Sequence, residues 1–217
     1  MALAPTKISA LPVATSIGVA DLLPIVQSGE TRQATGEMVK TLVGSVLRSF
    51  FIPAAAIRPS ASSGCASIAL ATTSSNRPDV SSLDFDASTQ EFAQFWIRMP
   101  KSWDEGTITA SFMWSHAATT TNFGVTWGLQ AVAVSDGDSM DTAYGTAQEV
   151  SDTGGTTNTL YKSAKTSAIT IAGTPQAEDF IAFRVYRLPT DTNDTLAVDA
   201  RLMGVNIFFS TNTTDET

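Results

Sequence analysis

The sequence predicts an all-β protein, a jelly-roll β-sandwich preceded by an extended N-terminal arm and one short helix. All four tryptophans lie between Phe92 and Val134, and this stretch alternates apolar with small polar residues in three runs. Half-buried strands require such alternation, because successive side chains point to opposite faces of a sheet. Further strand-like runs follow residue 159. About eight antiparallel strands would complete a jelly roll.

The first 33 residues read as an extended arm rather than a domain. Ser28–Glu30 is predicted to be the turn of a hairpin between Leu23–Gln27 and Thr31–Ala34. The apolar side chains of so short a segment cannot bury one another, so we expect them to dock onto another protein. Packing on the C-terminal domain of the same chain is the alternative. The predicted docking residues are Ile8, Leu11, Pro12, Leu22, Pro24, Ile25 and Val26.

The arm also carries a family resemblance. Its motif is Lys7-Ile8-Ser9, Leu11-Pro12, Asp21, Pro24-Ile25-Val26, Gly29, Thr31 and Ala34-Thr35. This run resembles a short N-terminal module of tail-fibre and other virion structural proteins of tailed bacteriophages. The resemblance covers roughly the first forty residues and includes no catalytic residue. It implies attachment to the phage capsid or another virion protein, a place on the virion surface, and assembly in the host cytoplasm.

A short helix is predicted over residues 35–52. Thr35 can act as its N-cap, and Glu37 in the first turn would suit the helix dipole. Apolar residues at helical spacing form a stripe that covers more than half of the predicted helix surface. Three identical chains would bury so wide a stripe better than two, so we expect a homotrimer. A helix lying on the sandwich is the alternative. The trimer contacts would be Val39, Leu42, Val46 and Phe50.

Residues 53–90 are rich in Ala, Ser and Thr and are interpreted as a linker that contains the first strand. Ile68–Thr72 could form a strand, while Pro53, Pro59 and Pro78 exclude a long helix. The predicted organisation is therefore an attachment arm with its trimerising helix at 1–52, the linker and first strand at 53–90, and the jelly roll at 91–217.

The three tryptophan-containing runs supply the predicted core. Pro100 and the Asp104–Gly106 corner end the first connection, because proline cannot donate to a strand ladder and glycine permits a tight reversal. In the first run, Gln94, Trp96 and Arg98 occupy the alternate positions, whose side chains point to the face opposite the predicted core residues. The core parity consists of Ala93, Phe95, Ile97 and Met99, then Ile108, Ala110, Phe112 and Trp114, then Val125, Trp127, Leu129, Ala131 and Ala133.

Beyond these runs, Ser135–Thr159 is polar and Gly-rich and is interpreted as a long exposed loop. Both parities of the last predicted strand are apolar, which is typical of a strand covered on two faces. The later strands are predicted at Leu160–Ala164, Ile169–Ile171, Phe180–Leu188 and Ala197–Phe209.

Charge and cysteine content exclude several classes of protein. The net charge is −8. Residues 1–77 carry six basic and three acidic side chains, whereas residues 78–217 carry seven and eighteen. A nucleic-acid surface needs clustered cations, so no nucleic-acid partner is expected. Cys65 is the single cysteine, which rules out an intramolecular disulfide. No signal peptide or run of about 20 apolar residues is present, so no membrane partner is expected.

The sequence shows no enzyme or cofactor motif. His116 is the only histidine, and its neighbour Ser115 would point to the opposite face of a strand, so no catalytic pair is expected. The Asp136–Asp141 cluster lacks EF-hand spacing and is interpreted as a solvated loop, with calcium binding as the alternative. Trp103 and Tyr144 lie in predicted loops, where they could stack on a sugar of a host glycan.

These observations predict a non-enzymatic virion protein with no cofactor, most consistent with a trimeric head decoration protein or short head fibre. The chain is short for a tail fibre and lacks a repetitive shaft. A small tail fibre or receptor-binding protein is the alternative within this class. A carbohydrate-binding β-sandwich is the alternative outside it.

Overall fold

The computed structural model describes residues 22–35, 46–71, 74–117 and 123–212. The chain divides into two compact units, Met1–Ser45 and Val46–Thr217. The described ranges contain thirteen strands and no α-helix, with one short 3-10 turn at Ala54–Ala56. In this part of the chain, therefore, no helix has the length and apolar character needed to span a bilayer. The prediction of an all-β protein is confirmed.

The first unit contains the predicted hairpin, formed by strand β1 at Leu22–Gln27 and strand β2 at Glu30–Thr35. The two strands pair antiparallel from Leu22 opposite Thr35 to Gln27 opposite Glu30. Ser28 and Gly29 both adopt positive φ angles, 55° and 81°. A two-residue turn with both φ angles positive matches the right-handed twist of the flanking strands. The hairpin prediction is confirmed.

The second unit is a sandwich of two antiparallel sheets. The strands of the first sheet are β4 at Arg58–Pro59, β7 at Phe92–Arg98, β9 at Phe123–Val134, β10 at Gln148–Gly154 and β12 at Phe180–Arg187. Their order across the sheet is β10-β9-β12-β7-β4. Strand β12 therefore lies at the centre of this sheet, paired with β7 on one side and β9 on the other.

The strands of the second sheet are β3 at Val46–Pro53, β5 at Ala69–Ala71, β6 at Val80–Phe85, β8 at Thr109–His116, β11 at Tyr161–Lys162 and β13 at Ala200–Thr211. Their order is β11-β8-β13-β6-β5, and β3 also pairs with β13. Between β6 and β9 the chain changes sheet at every step, and it does so again from β10 to β13. The architecture is the predicted jelly-roll sandwich.

The core lies between the sheets and has the composition that the alternation predicted. On the three tryptophan-containing runs every predicted core residue is buried except Ile97, which is half-buried. The Trp127 ring meets Phe85 edge-on at 5.3 Å and stacks on Phe112 at 5.9 Å. Each large apolar side chain buried in this way contributes about 1.5–3 kcal/mol to folding.

The helix predicted at 35–52 is wrong wherever the structure describes those residues. Thr35 ends β2, and Val46 and Phe50 lie on β3, which pairs with β13 from Val46 opposite Thr211 to Pro53 opposite Gly204. Both parities of β3 carry apolar side chains, but only the parity of Phe50 packs on the core, and Leu47 and Phe51 on the other are 57% and 44% exposed. Phe50 packs on Phe209 at 5.4 Å, whereas Phe51 lies on the other face above Gly204, where a Cβ would come within 2.3 Å of its ring. Val39 and Leu42 lie outside the described residues.

The structure also corrects the linker predicted at 53–90. Ala54, Ile57 and Cys65 are buried in the core, and β4, β5 and β6 belong to the two sheets. The strand predicted at Ile68–Thr72 is observed as β5. The segment therefore belongs to the sandwich and is not a spacer, although most of its Ala and Ser side chains are exposed. The sandwich begins at Val46.

The loop predicted at 135–159 contains a strand, β10, which pairs with β9 from Gln148 opposite Leu129 to Gly154 opposite Phe123. Its exposed side chains are polar because β10 lies at the edge of its sheet. Two other predicted strands are shorter in the structure than expected. The run at 160–164 contributes only β11, and Ile169 forms a single bridge with Ile108.

Candidate functional sites

The only histidine lies in the core. His116 is buried within an aromatic cluster in which its ring lies 4.5 Å from Phe123 and 5.9 Å from Tyr161. Ser115 points to the other face of β8, opposite Arg201. Burial raises the pKa of the Cys65 thiol to about 12, which keeps it protonated and unreactive near neutral pH. His116 and Cys65 are therefore structural residues.

The acidic loop at 136–141 is held by hydrogen bonds of its own. The Ser135 amide donates to Asp138 Oδ2 at 3.0 Å, and the Ser135 hydroxyl donates to Asp179 Oδ2 at 2.8 Å. Within the described ranges, no three His, Cys, Asp or Glu side chains are grouped as a metal site requires. The arrangement is that of a capped turn.

The two aromatic residues predicted to stack on a sugar have other roles. Trp103 is 0% exposed and bridges to Thr211, so it cannot meet a ligand, and that prediction is wrong. Tyr144 is half-buried and places its ring 4.8 Å from the Arg184 guanidinium. Burial raises the pKa of Tyr144, and the Arg184 charge opposes this.

An exposed aromatic pair instead lies on the outer face of the first sheet. Trp96 is 38% exposed and Phe180 is 44% exposed, and their rings stack 4.7 Å apart at an interplanar angle of 14°. Trp96 is the one tryptophan of the four that is not buried. We call this pair the aromatic platform.

Strand register builds the platform. On neighbouring strands Trp96 is opposite Ala182, and Phe180 is opposite Arg98, so the two rings are diagonal neighbours on the same face. Ala182 is in turn opposite Val132 on β9. The small side chain at Ala182 leaves the large rings of the platform free to lie across the face.

A cleft of about 480 Å³ borders the platform on its Trp96 side. Arg58, Ser60 and Gln94 line it together with Trp96. The Gln94 side-chain amide donates to the Ser60 hydroxyl at 3.1 Å, and Arg58 is the residue opposite Gln94 in the register of β4 and β7. This end of the platform presents planar polar groups and a cation.

A second cleft, of about 410 Å³, borders the platform on its Phe180 side. Arg98 forms an exposed ion pair there with Glu178 at 2.8 Å, and Asp136 and Asp179 also line the cleft. Glu178 has a backbone φ angle of 70°, a value that residues other than glycine seldom adopt. Three carboxylates and one arginine make this end acidic.

A row of polar side chains runs beside the platform. Arg184 lies next to Gln94 and Gln130 in the register of the sheet, with its guanidinium 4.5 Å from the Phe92 ring. With its amide turned so that the oxygen faces Arg184, Gln130 accepts two hydrogen bonds from that guanidinium. Planar amides and guanidinium groups beside exposed rings are suited to binding hydroxyl-rich molecules.

The described docking residues of the arm lie on the hairpin. Leu22, 58% exposed, and Pro24, also exposed, belong to β1, as do Ile25 and Val26. Ile8, Leu11 and Pro12 lie outside the described residues. Ala34 is the one buried residue of β2. Contact of these residues with another protein stays a prediction.

Sequence reasoning did not select the platform, although part of the signal was present. Trp96 was assigned to the outward parity of its strand together with Gln94 and Arg98, and a tryptophan in that position is exposed unless another element covers it. Nothing in the sequence indicated that Phe180 would lie beside it.

No protein-family model matches the chain, and no curated protein matches it in sequence. Its fold is similar to solved structures. The CBM22-2 xylan-binding domain from a Paenibacillus barcinonensis protein is 12% identical, with a TM-score of 0.42 over 76% of this chain and 99% of that domain. The xylan-binding module CBM15 is 13% identical, with a TM-score of 0.43 over 78% and 100%.

A viral protein is also similar. A chain of infectious bursal disease virus, Gx strain, is 11% identical, with a TM-score of 0.39 over 95% of this chain and 42% of the viral chain. At these identities and TM-scores, none of the three assigns a ligand or a partner. The jelly-roll sandwich follows from the order of the strands in the two sheets and not from these similarities.

Proposed function

We propose that this chain is a non-enzymatic virion protein of a tailed bacteriophage, attached to the particle by Met1–Ser45 and displaying the jelly roll. The observation that carries the proposal is the partition of the chain at Ser45. The phage-like motif falls within the first unit, and part of it forms a hairpin with exposed apolar side chains.

The hairpin needs a partner for physical reasons. An isolated two-stranded hairpin is marginally stable in water, and a third strand or a packed face is needed for independent stability. Leu22 and Pro24 present apolar surface that another protein could cover. Among the described residues, β1 and β2 pair only with each other, and a docking site on the particle would supply a further strand or a cover for the exposed apolar side chains.

The charge distribution also supports attachment through the N-terminal part and display of the jelly roll. The first 77 residues carry an excess of basic side chains, and the remainder carries eighteen acidic side chains. Among particle positions, we favour the head, as a decoration protein or short head fibre in a homotrimer, with a small tail fibre as the alternative. None of the described residues between 35 and 52 is helical, so no helix in this range supports the homotrimer. Light scattering, which measures the mass of the assembly, tests it.

Deletion of residues 1–45 tests attachment at the boundary between the units. The truncated chain begins at Val46 and retains both sheets, so its circular dichroism and thermal unfolding should match those of the full chain. It should fail to join particles that incorporate the full chain. Normal incorporation of the truncated chain would overturn the attachment role of the first unit.

Glycan binding by the jelly roll is a second candidate function, and the platform of Trp96 and Phe180 is the observation that favours it. Aromatic rings present an electron-rich face, and the C–H groups on one side of a sugar ring pack against such a face. Trp96→Ala should remove soluble-glycan binding, whereas deletion of residues 1–45 should not. Both functions together would describe a virion protein that contacts a host surface.

A further inference from the structure

The two ends of the aromatic platform carry opposite charge. Arg58 lines the cleft beside Trp96, whereas Asp136, Glu178 and Asp179 line the cleft beside Phe180 with only Arg98 among them. Arg98 is already paired with Glu178 at 2.8 Å. A ligand that lies across both rings therefore meets a cation at one end and an excess of carboxylates at the other.

Arg58 is positioned to reach a ligand held on Trp96. It is opposite Gln94 across β4 and β7, so the two side chains emerge from the same face. Gln94 and Trp96 are two residues apart on β7, and side chains at that spacing emerge on one face about 7 Å apart. Arg58 and Trp96 are therefore diagonal neighbours on this face, a relationship that places residues about 7–8 Å apart, and both line the same cleft.

Arg58 has no carboxylate partner within the described residues. The four ion pairs found there involve Arg32, Arg98, Arg187 and Arg201. The Arg58 side chain is exposed, and its guanidinium donates no hydrogen bond to another described residue. A guanidinium offers two parallel N–H donors that match a carboxylate.

The opposite end excludes a uniformly acidic polymer. A chain with a carboxylate on every sugar would bring one of them against Glu178 and Asp136, and like charges at such distances repel. A neutral sugar meets no such penalty, because its hydroxyls can donate to those carboxylates. The charge pattern therefore selects a ligand with its acidic group at one end only.

We propose that the platform binds a glycan segment in which a carboxylate-bearing sugar at Arg58 adjoins a neutral sugar stacked on Trp96 and Phe180. The proposal rests on the second candidate function and adds the class of sugar. Gln94 and Ser60 would bind hydroxyls of the acidic sugar, and Arg98 and Glu178 would bind those of the neutral sugar.

Pairs of oligosaccharides that differ by one acidic sugar provide the test. One pair is 3′-sialyllactose and lactose, and another is xylotriose with and without a glucuronic acid branch. Isothermal titration with the full chain should show the acidic member of at least one pair binding about tenfold tighter than its neutral parent, as a charge-assisted hydrogen bond provides. Arg58→Gln should reduce this preference to less than about twofold.

Two variants control for charge and shape. Arg77→Gln removes one positive charge, as Arg58→Gln does, but at an exposed turn before β6. This variant should keep the preference for the acidic oligosaccharide. Arg58→Lys keeps the charge but loses the paired donors, so its preference should be intermediate.

Each contrary outcome has its own meaning. Equal affinity within both pairs would overturn the acidic-sugar proposal and leave glycan binding in place. A preference that survives Arg58→Gln would overturn the role of Arg58. Failure of all four oligosaccharides to bind would overturn glycan binding and the proposal together, while attachment through residues 1–45 would stand.

Discussion

The Arg187 guanidinium and the Asp194 carboxylate form an ion pair at 2.7 Å inside the sandwich, with the two side chains 0% and 1% exposed. Asp194 also accepts a hydrogen bond from the Thr126 amide of β9 at 3.1 Å. The guanidinium donates to four backbone carbonyls as well, those of Phe85, Asp86, Leu196 and Val198. The Arg187 side chain thus links the end of β6 and the connection after it to the connection before β13 through hydrogen bonds.

Asp194→Ala should destabilise the protein by about 3–5 kcal/mol, because it leaves a buried guanidinium without its counter-charge. Urea unfolding followed by tryptophan fluorescence measures the change. Arg201→Gln is the matched control, since its pair with Asp84 is 3.6 Å long and partly exposed. That variant should cost less than about 1 kcal/mol. Similar losses for the two variants would show that burial does not set the importance of the Arg187 pair.

Strand β3 can be distinguished from a helix by two substitutions on opposite parities. Phe50 packs on Phe209, so Phe50→Ala should lower the free energy of unfolding by about 2–4 kcal/mol. Leu47 is exposed on the other face, and Leu47→Ala should change the free energy by less than about 0.5 kcal/mol. Chemical denaturation compares the two. An equal effect of both substitutions would contradict the alternation of the strand.

Cys65 should resist modification while the protein is folded. Its thiol is buried and its pKa is raised to about 12, chiefly by that burial. A disulfide reagent at pH 8 should label it only after denaturant is added. Because the pKa is higher in the folded state than the ordinary value of 9.0, this group favours folding fully below pH 9 and loses that contribution as the pH rises toward 12.

Cys65→Ser controls for the pH dependence. A serine does not titrate in this range, so the variant should lose less stability between pH 9 and pH 12 than the natural chain does. Rapid labelling of the folded protein at pH 8 would show that the thiol is accessible and would contradict its place in the core.

Trp96 and Trp127 should respond differently to truncation. Trp127 is fully buried and contacts Phe85 and Phe112, so Trp127→Ala should cost about 3–5 kcal/mol. Trp96 packs mainly on Phe180 at the surface, so Trp96→Ala should cost less than about 1.5 kcal/mol. Thermal unfolding measures both. A large loss for Trp96→Ala would make the ring a structural element and weaken its assignment to a binding site.

The sequence predicted the core well because its signal is local. Alternation along β7, β8 and β9 is visible within each strand, and it identified the inward parity of all three. Strand β3 was missed because apolar residues occupy both of its parities, with Phe50 toward the core and Leu47 and Phe51 on the exposed face, so residues 46–52 show no period of two. Strand β10 was missed because an edge strand carries polar residues. In each case the missing information was the neighbouring strand.

The binding-site candidates depended even more on distant partners. Trp103 occupies a loop yet is buried, because the loop folds back and Trp103 bridges to Thr211 near the far end of the chain. Trp96 becomes part of a platform only when the register of β7 and β12 places Phe180 beside it. Arg187 would have been read as an ordinary strand residue, since its partner lies in a loop. Register between distant strands cannot be obtained from alternation alone.

The central proposal is that this chain is displayed on a phage particle. Immunogold electron microscopy of particles from a producing lysate, with antibody against residues 92–209, tests it most directly. The expected result is gold on the particles, on heads for a decoration protein or at the tail for a receptor-binding protein, and its loss when residues 1–45 are deleted. Particles that carry no gold, from a lysate in which the antibody detects the full chain, would contradict the virion assignment.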